Sequence, residues 1–95
     1  MADTRITREA VIATIYAPAH RRRVVWSPST TLAAMEIERY PHVPQLNYRK
    51  MKKLLKELCD AGLLIRRSRL HSHFTLKETA YERVGHDHPG VGGAV

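Results

Sequence analysis

Cationic side chains are concentrated in one stretch of the chain, where they are interleaved with leucines. Five lysine or arginine residues occupy the eight positions from Arg49 to Lys56 (RKMKKLLK). A second basic group, Arg66, Arg67 and Arg69, follows after Gly62. Such side chains donate charge-assisted hydrogen bonds to phosphate oxygens, and arginine also bonds to base edges. The two groups predict a surface that binds a polyanion, and the simpler alternative is a solvated charged face.

The net charge of the 95-residue chain is +7, and most of it lies in residues 47–83, which hold ten Lys/Arg against four Asp/Glu. The arginine run Arg21, Arg22 and Arg23 adds three further positive charges. Clustering of one sign of charge favours an electrostatic footprint for a polyanion over a generally charged surface. The arginine run is a candidate phosphate anchor and, equally, a charged loop.

The histidines form two HxH pairs, His71 with His73 and His86 with His88. Alternate residues of a strand face the same side, so His71 and His73 are weak candidates for a shared metal. The single cysteine, Cys59, falls near the buried side of a predicted helix, where it is expected as a small core residue. No acidic cluster completes a tetrahedral ligand set, so we expect solvated histidines, no metal and no cofactor.

Catalytic patterns are missing from the sequence. No serine or cysteine stands with a histidine and an acid in a known spacing, and no glycine loop could cradle a phosphate. We therefore expect no enzyme and no small-molecule substrate. The absence of a long apolar run and of a signal-peptide core predicts a cytoplasmic protein with no membrane partner. One domain is expected over residues 1–85, followed by a disordered Gly/His tail at 86–95.

The first half of the chain predicts a helix and a short strand. A helix is expected from about Arg8 to Tyr16, with Thr7 as its N-cap and an end near Pro18. The β-prone run Val24–Trp26 is long enough for one edge strand.

A second helix is expected after the segment SPSTT. Ser27 or Ser29 is its candidate cap, and Pro28 suits its first turn. Its apolar residues extend from Leu32 to Tyr40, and it must stop before Pro41, because a residue that precedes proline avoids the helical region.

The basic stretch itself predicts an amphipathic helix from about Tyr48 to Ala61, with Asn47 as its N-cap and Gly62 as its left-handed C-cap glycine. Its apolar face, at helical spacing, consists of Tyr48, Met51, Leu54, Leu55 and Leu58. A hairpin is expected next, with strands at about residues 63–67 and 73–76 and a basic tip. The segment KETAYERV at residues 77–84 then predicts a short final helix.

The run LNYRKMKKLLKELCDAGLLIRR resembles the recognition helix and wing entry of winged helix-turn-helix regulators. The residues that carry the likeness are Asn47, Met51, Leu54, Leu55, Leu58, Ala61, Gly62, Leu63 and Leu64, and it extends over about residues 7–84. The resemblance implies a mainly α fold with a small β-hairpin wing (α+β). It also implies that helix 48–61 enters the major groove of double-stranded DNA, with the 63–76 hairpin as the wing.

Carried over to this chain, the resemblance assigns base and phosphate contacts to two groups of residues. The recognition helix supplies Asn47, Tyr48, Arg49, Lys50, Lys52, Lys53 and Lys56. The wing supplies Arg66, Arg67, Arg69 and His71. The strand register that decides whether Arg66 or Arg67 points outward is left open by the sequence.

Three functions follow as hypotheses. The first is a sequence-specific DNA-binding transcription regulator, the second a winged helix used for protein contacts, and the third an RNA-binding module. The basic wing argues against the second, and the lone Phe74 does not supply the stacking aromatics of the third. The resemblance also implies a homodimer, whose candidate surfaces are the first and final helices with Val11, Ile15, Tyr16, Tyr81 and Val84.

Overall fold

The computed structural model describes residues 2–23, 25–38, 45–71 and 77–85, without the side chains of 68–71, 77 and 78. Within these ranges the chain forms an α+β fold of three α-helices and a three-stranded antiparallel sheet. The elements are α1 (Arg8–Ile15), a 3₁₀ turn (Pro18–His20), β1 (Val25–Trp26), α2 (Pro28–Ala34), α3 (Leu46–Asp60), β2 (Leu64–His71) and β3 (Lys77–Arg83).

Helix α1 begins where the sequence predicts. The Thr7 hydroxyl accepts a hydrogen bond from the Ala10 N–H at 3.1 Å, so the predicted N-cap is confirmed. The helix ends at Ile15, one residue before the expected end, and Tyr16 is its C-cap. Its buried face consists of Val11 and Ile15.

The strand order is β1-β3-β2, so the edge strand predicted at Val24–Trp26 is confirmed over Val25–Trp26, and Val24 lies outside the described residues. The predicted final helix is wrong, because residues 77–83 form β3, the central strand. Lysine, glutamate and alanine favour helix, but Thr79 and Tyr81 suit a strand, and pairing on both sides of β3 overrides a weak local preference. The expected return strand at 73–76 lies outside the described residues.

Helix α2 confirms Ser27 as the cap but ends earlier than expected. The Ser27 hydroxyl accepts from the Thr30 N–H, while the Thr30 hydroxyl accepts from the Ser27 N–H, which completes a capping box. The helix ends at Ala34, well before Pro41, and Glu36 follows in the left-handed region at φ 58°. The Ile37 N–H then bonds to the Leu32 carbonyl at 2.9 Å. This turn returns the buried Ile37 side chain to the core, so the helix cannot continue.

Helix α3 lies where the basic stretch predicts it, although it starts at Leu46 rather than Tyr48. The predicted N-cap, Asn47, is wrong, because Gln45 occupies the cap position and Asn47 lies in the first turn. At the other end Gly62 has φ 84°, as expected for a C-cap glycine. The Leu63 N–H bonds to the Leu58 carbonyl at 3.0 Å, which turns the chain directly into β2.

One hydrophobic core joins the helices and the strands. It contains Ile6, Val11, Ile15, Tyr16, Trp26, Leu32, Ile37, Met51, Leu55, Leu58, Leu64 and Tyr81. The predicted dimer surfaces are therefore wrong, because Val11, Ile15, Tyr16 and Tyr81 belong to this core. Of that predicted set, Val84 alone is exposed.

Two side chains fasten the end of α1 to the hairpin. The Tyr16 hydroxyl lies 3.1 Å from the Leu63 carbonyl and 2.9 Å from the Val84 carbonyl. The Arg83 guanidinium donates to the Ile15 carbonyl at 3.0 Å and also to the carbonyl of Arg21. These bonds fix the sheet relative to the helices. None of the helices in the described ranges is long and apolar enough to cross a membrane.

Candidate functional site

Helix α3 separates apolar and cationic residues onto opposite faces, as its sequence predicts. Met51, Leu55 and Leu58 are buried against the core. The exposed side chains include every cation of the helix: Arg49, Lys50, Lys52, Lys53 and Lys56. The apolar face packs the helix against the core, so the cationic face on the opposite side must project outward.

A groove with a volume of about 640 Å³ runs between this face of α3 and the β2–β3 hairpin. Among the described side chains, its lining contains five cations and one carboxylate. The lining residues are Arg49, Lys52, Lys53, Lys56, Cys59, Asp60, Arg66, Thr79 and Tyr81. Like charges in one concave surface reinforce their potential, so the groove attracts anions.

The strand register separates the two arginines that the sequence could not distinguish. Arg66 pairs with Tyr81 across β2 and β3, and its side chain lines the groove. Arg67 faces the other side of the sheet, where its Nε and Nη2 atoms lie 2.6 Å and 2.5 Å from a carboxylate oxygen of Glu82. Arg66 is therefore the arginine available to a ligand in the groove.

Tyr81 forms part of the floor of the groove and is 6% exposed. Burial raises the pKa of its hydroxyl; the thiol of Cys59 and the carboxylate of Asp60 raise it further, and Arg66 opposes them. The hydroxyl is therefore protonated at neutral pH and can donate a hydrogen bond. Within the described part of the chain it has no hydrogen-bond partner.

The predicted contact residue Asn47 does not face the groove. It is 4% exposed, and both ends of its amide are occupied. The oxygen accepts from the Asp3 N–H at 2.7 Å, and the nitrogen donates to the Glu38 carbonyl at 2.8 Å. Asn47 therefore fastens the N-terminal segment and the chain after α2 to the start of α3. Tyr48 is half-buried against the core.

Lys50 is exposed on α3 but does not line the groove. Hydrogen bonds from Arg5 are the main cause of the lowered pKa of Asp3, and the charge of Lys50 lowers that pKa slightly further.

The arginine run lies in the loop between the 3₁₀ turn and β1, and its three side chains are exposed. The guanidinium carbon of Arg23 lies 5.4 Å from the centroid of the Trp26 ring, within the range of a cation–π contact. The Arg21 carbonyl accepts from Arg83. None of the three arginines lines the groove.

The remaining predictions for metal and wing residues fall largely outside the described residues. The side chains of Arg69 and His71 and the whole of His73 are among these. Among the residues that the structure does describe, no group of three histidine, cysteine, aspartate or glutamate side chains could hold a metal ion. Cys59 is half-buried and lines the groove, so its expected place in the core is only partly confirmed.

Two lining residues, Thr79 and Tyr81, were not predicted as site residues, because their segment predicts a helix. The signal that could have found them is the pair of strand-favouring residues Thr79 and Tyr81, which stand two positions apart and therefore face the same side of a strand. Comparison of the chain with protein-family models, with curated proteins and with solved structures found no significant match.

Proposed function

We propose that this protein is a winged helix-turn-helix protein that binds double-stranded DNA and regulates transcription. Helix α3 enters the major groove, and the β2–β3 hairpin is the wing. The observation that carries the proposal is the continuous cationic surface from α3 onto β2. On it Arg49, Lys52, Lys53 and Lys56 are joined by Arg66 across the groove, and Asp60 is the one carboxylate among the described lining residues.

The order of the secondary-structure elements supports the proposed winged helix-turn-helix fold. A helix, a short strand, two further helices and a hairpin follow one another, and β1 pairs with the last strand of the hairpin. This is the order expected from the resemblance of the basic stretch to winged helix-turn-helix regulators. The hairpin follows α3 directly after Gly62, so one duplex can meet both.

The dimensions of α3 suit a major groove. A helix of 15 residues is about 22 Å long, and the major groove of B-DNA, about 12 Å wide, admits one helix. The first half of α3 contains Arg49, Lys52 and Lys53. In the proposed complex these side chains contact bases and nearby phosphates. Its first turn has no acidic residue to repel a phosphate from the positive end of the helix dipole.

The decisive experiment is a titration of the purified protein with duplex DNA over a series of salt concentrations. If the five groove cations each neutralise one phosphate, log K should fall with log salt at a slope of about −4.5. Single-stranded DNA and RNA of the same sequence are the controls. A slope near zero contradicts the proposal, and tighter binding to RNA than to duplex DNA replaces it with an RNA-binding function.

A further inference from the structure

The floor of the groove contains polar groups that DNA binding does not use. Tyr81 is buried, and Thr79 and Cys59 are half-buried, whereas the lysines and arginines around them are exposed. A duplex presents its phosphates on a convex surface, so it meets the exposed rim of the groove and not its floor. The protonated hydroxyl of Tyr81 is left as a donor without a partner among the described residues.

The groove has the size of a small-molecule site. Its volume of about 640 Å³ lies in the range of roughly 300–1,000 Å³ that such sites occupy. Part of its wall is apolar, because the ring of Tyr81 and the aliphatic stems of the lysines contribute to it. A ligand could therefore pack against carbon as well as meet charge.

The spacing of the charges indicates the chemistry of that ligand. Arg49, Lys52 or Lys53, and Lys56 recur at intervals of three or four residues, so they form a row with a pitch of about 5 Å. Arg66 stands opposite, on β2. A row of cations suits a chain of negative groups better than it suits one isolated carboxylate.

We propose that the groove binds a small, multiply phosphorylated molecule. Its phosphate groups lie between the α3 lysines and Arg66, and they accept one hydrogen bond from the Tyr81 hydroxyl and one from the Thr79 hydroxyl. The molecule competes with DNA for the same cations, so its binding releases DNA. This regulatory part rests on the proposed function, whereas the binding site itself does not.

The test uses inorganic tripolyphosphate as the probe and orthophosphate as the comparison, titrated into the full chain by calorimetry at physiological salt. We expect saturable binding of one tripolyphosphate per chain and much weaker binding of orthophosphate. Tyr81→Phe and Thr79→Val each remove a hydroxyl and leave every charge in place. Each should weaken tripolyphosphate binding by about tenfold, the effect of losing one hydrogen bond to a charged group.

Matched controls separate this site from general attraction of anions. Lys50→Ala removes a cation of α3 outside the groove, and it should change the tripolyphosphate Kd by no more than about twofold, as an exposed, salt-screened charge would. Unchanged affinity in both Tyr81→Phe and Thr79→Val overturns the proposal, as does a loss in Lys50→Ala equal to theirs. Circular dichroism checks the fold, and Thr79→Val decides alone if Tyr81→Phe unfolds.

A separate displacement measurement follows DNA release by fluorescence anisotropy, with the DNA Kd of each variant measured first. Tripolyphosphate should displace DNA from the wild type at a concentration about tenfold lower than from Tyr81→Phe. Equal displacement overturns the inference and leaves DNA binding intact. Saturable tripolyphosphate binding without any DNA binding supports the site and overturns the proposed function.

Discussion

Arg66 and Arg83 lie on the same face of the β2–β3 hairpin, because Arg66 pairs with Tyr81 and Arg83 is two residues further along β3. Arg83 is 9% exposed, and its guanidinium donates to backbone carbonyls at the end of α1 and in the loop that follows. Arg66 is exposed and faces the groove. One cation holds the fold together and the other is available to a ligand, so net charge alone overstates the binding surface.

The strongest test of this comparison is Arg83→Ala. Loss of the guanidinium leaves the buried Ile15 carbonyl and the partly buried Arg21 carbonyl without this donor. Breaking such a network costs about 2–4 kcal/mol. For a domain of this size the Tm should fall by more than ~10 °C. Thermal unfolding measures the loss, and a Tm within a degree or two of the wild type would show that Arg83 does not fasten β3 to α1.

Arg66→Ala should give the opposite result. An exposed side chain contributes within about ±0.5 kcal/mol, so the Tm should change by only a few degrees. The salt slope of DNA binding should fall by about 0.9 if Arg66 meets one phosphate. A salt titration of the variant checks this, and an unchanged slope removes Arg66 from the proposed interface.

Arg67→Ala is the matched control on the same strand. The ion pair of Arg67 with Glu82 is partly exposed, so its loss should cost no more than about 1 kcal/mol. Since Arg67 faces away from the groove, DNA affinity and its salt slope should change less than in Arg66→Ala. Salt titrations of DNA binding by the two variants, run side by side, test this difference. Equal salt slopes for Arg66→Ala and Arg67→Ala would mean that the two faces of the hairpin do not differ in function.

The smallest effect is expected at a fourth arginine, Arg5, which pairs with Asp3 on the surface at 2.8 Å. Hydrogen bonds from Arg5 lower the pKa of Asp3 from its ordinary 3.8 to about 2. This carboxylate therefore stabilises the fold above pH 3.8, and its contribution is lost as the pH falls through about 2. Urea unfolding between pH 5 and 2 should show a shallower loss in Asp3→Asn than in the wild type. Parallel curves would contradict this role of the pair.

Local patterns in the sequence predicted the elements whose signals are strong. The cap at Thr7, the choice of Ser27 or Ser29 as the second cap, the edge strand at β1, the amphipathic α3 and the turn at Gly62 each depend on a few neighbouring residues. The exposed cations of α3 followed from the same helical periodicity. The groove itself was not predicted, because the segment that supplies Thr79 and Tyr81 was expected to form a helix and instead forms β3.

The errors have tertiary causes. The segment of β3 has residues that favour helix, but hydrogen-bond pairing with β1 and β2 stabilises it as a strand. Helix α2 is shortened by the burial of Ile37, which requires the left-handed turn at Glu36. Asn47 has the residue type of an N-cap, yet its amide is used by Asp3 and Glu38, two partners that no local rule identifies.

The groove between α3 and the hairpin also couples ligand binding to folding. One wall is a helix, and the floor includes β3, the last described strand, so the site does not exist until the hairpin has docked. Any anion that occupies the groove binds the docked state alone and stabilises it by mass action, by about 2.7 kcal/mol at a hundredfold excess over its Kd. The hairpin should then exchange its amide hydrogens more slowly, and its protection becomes a measure of occupancy that needs no knowledge of the natural ligand.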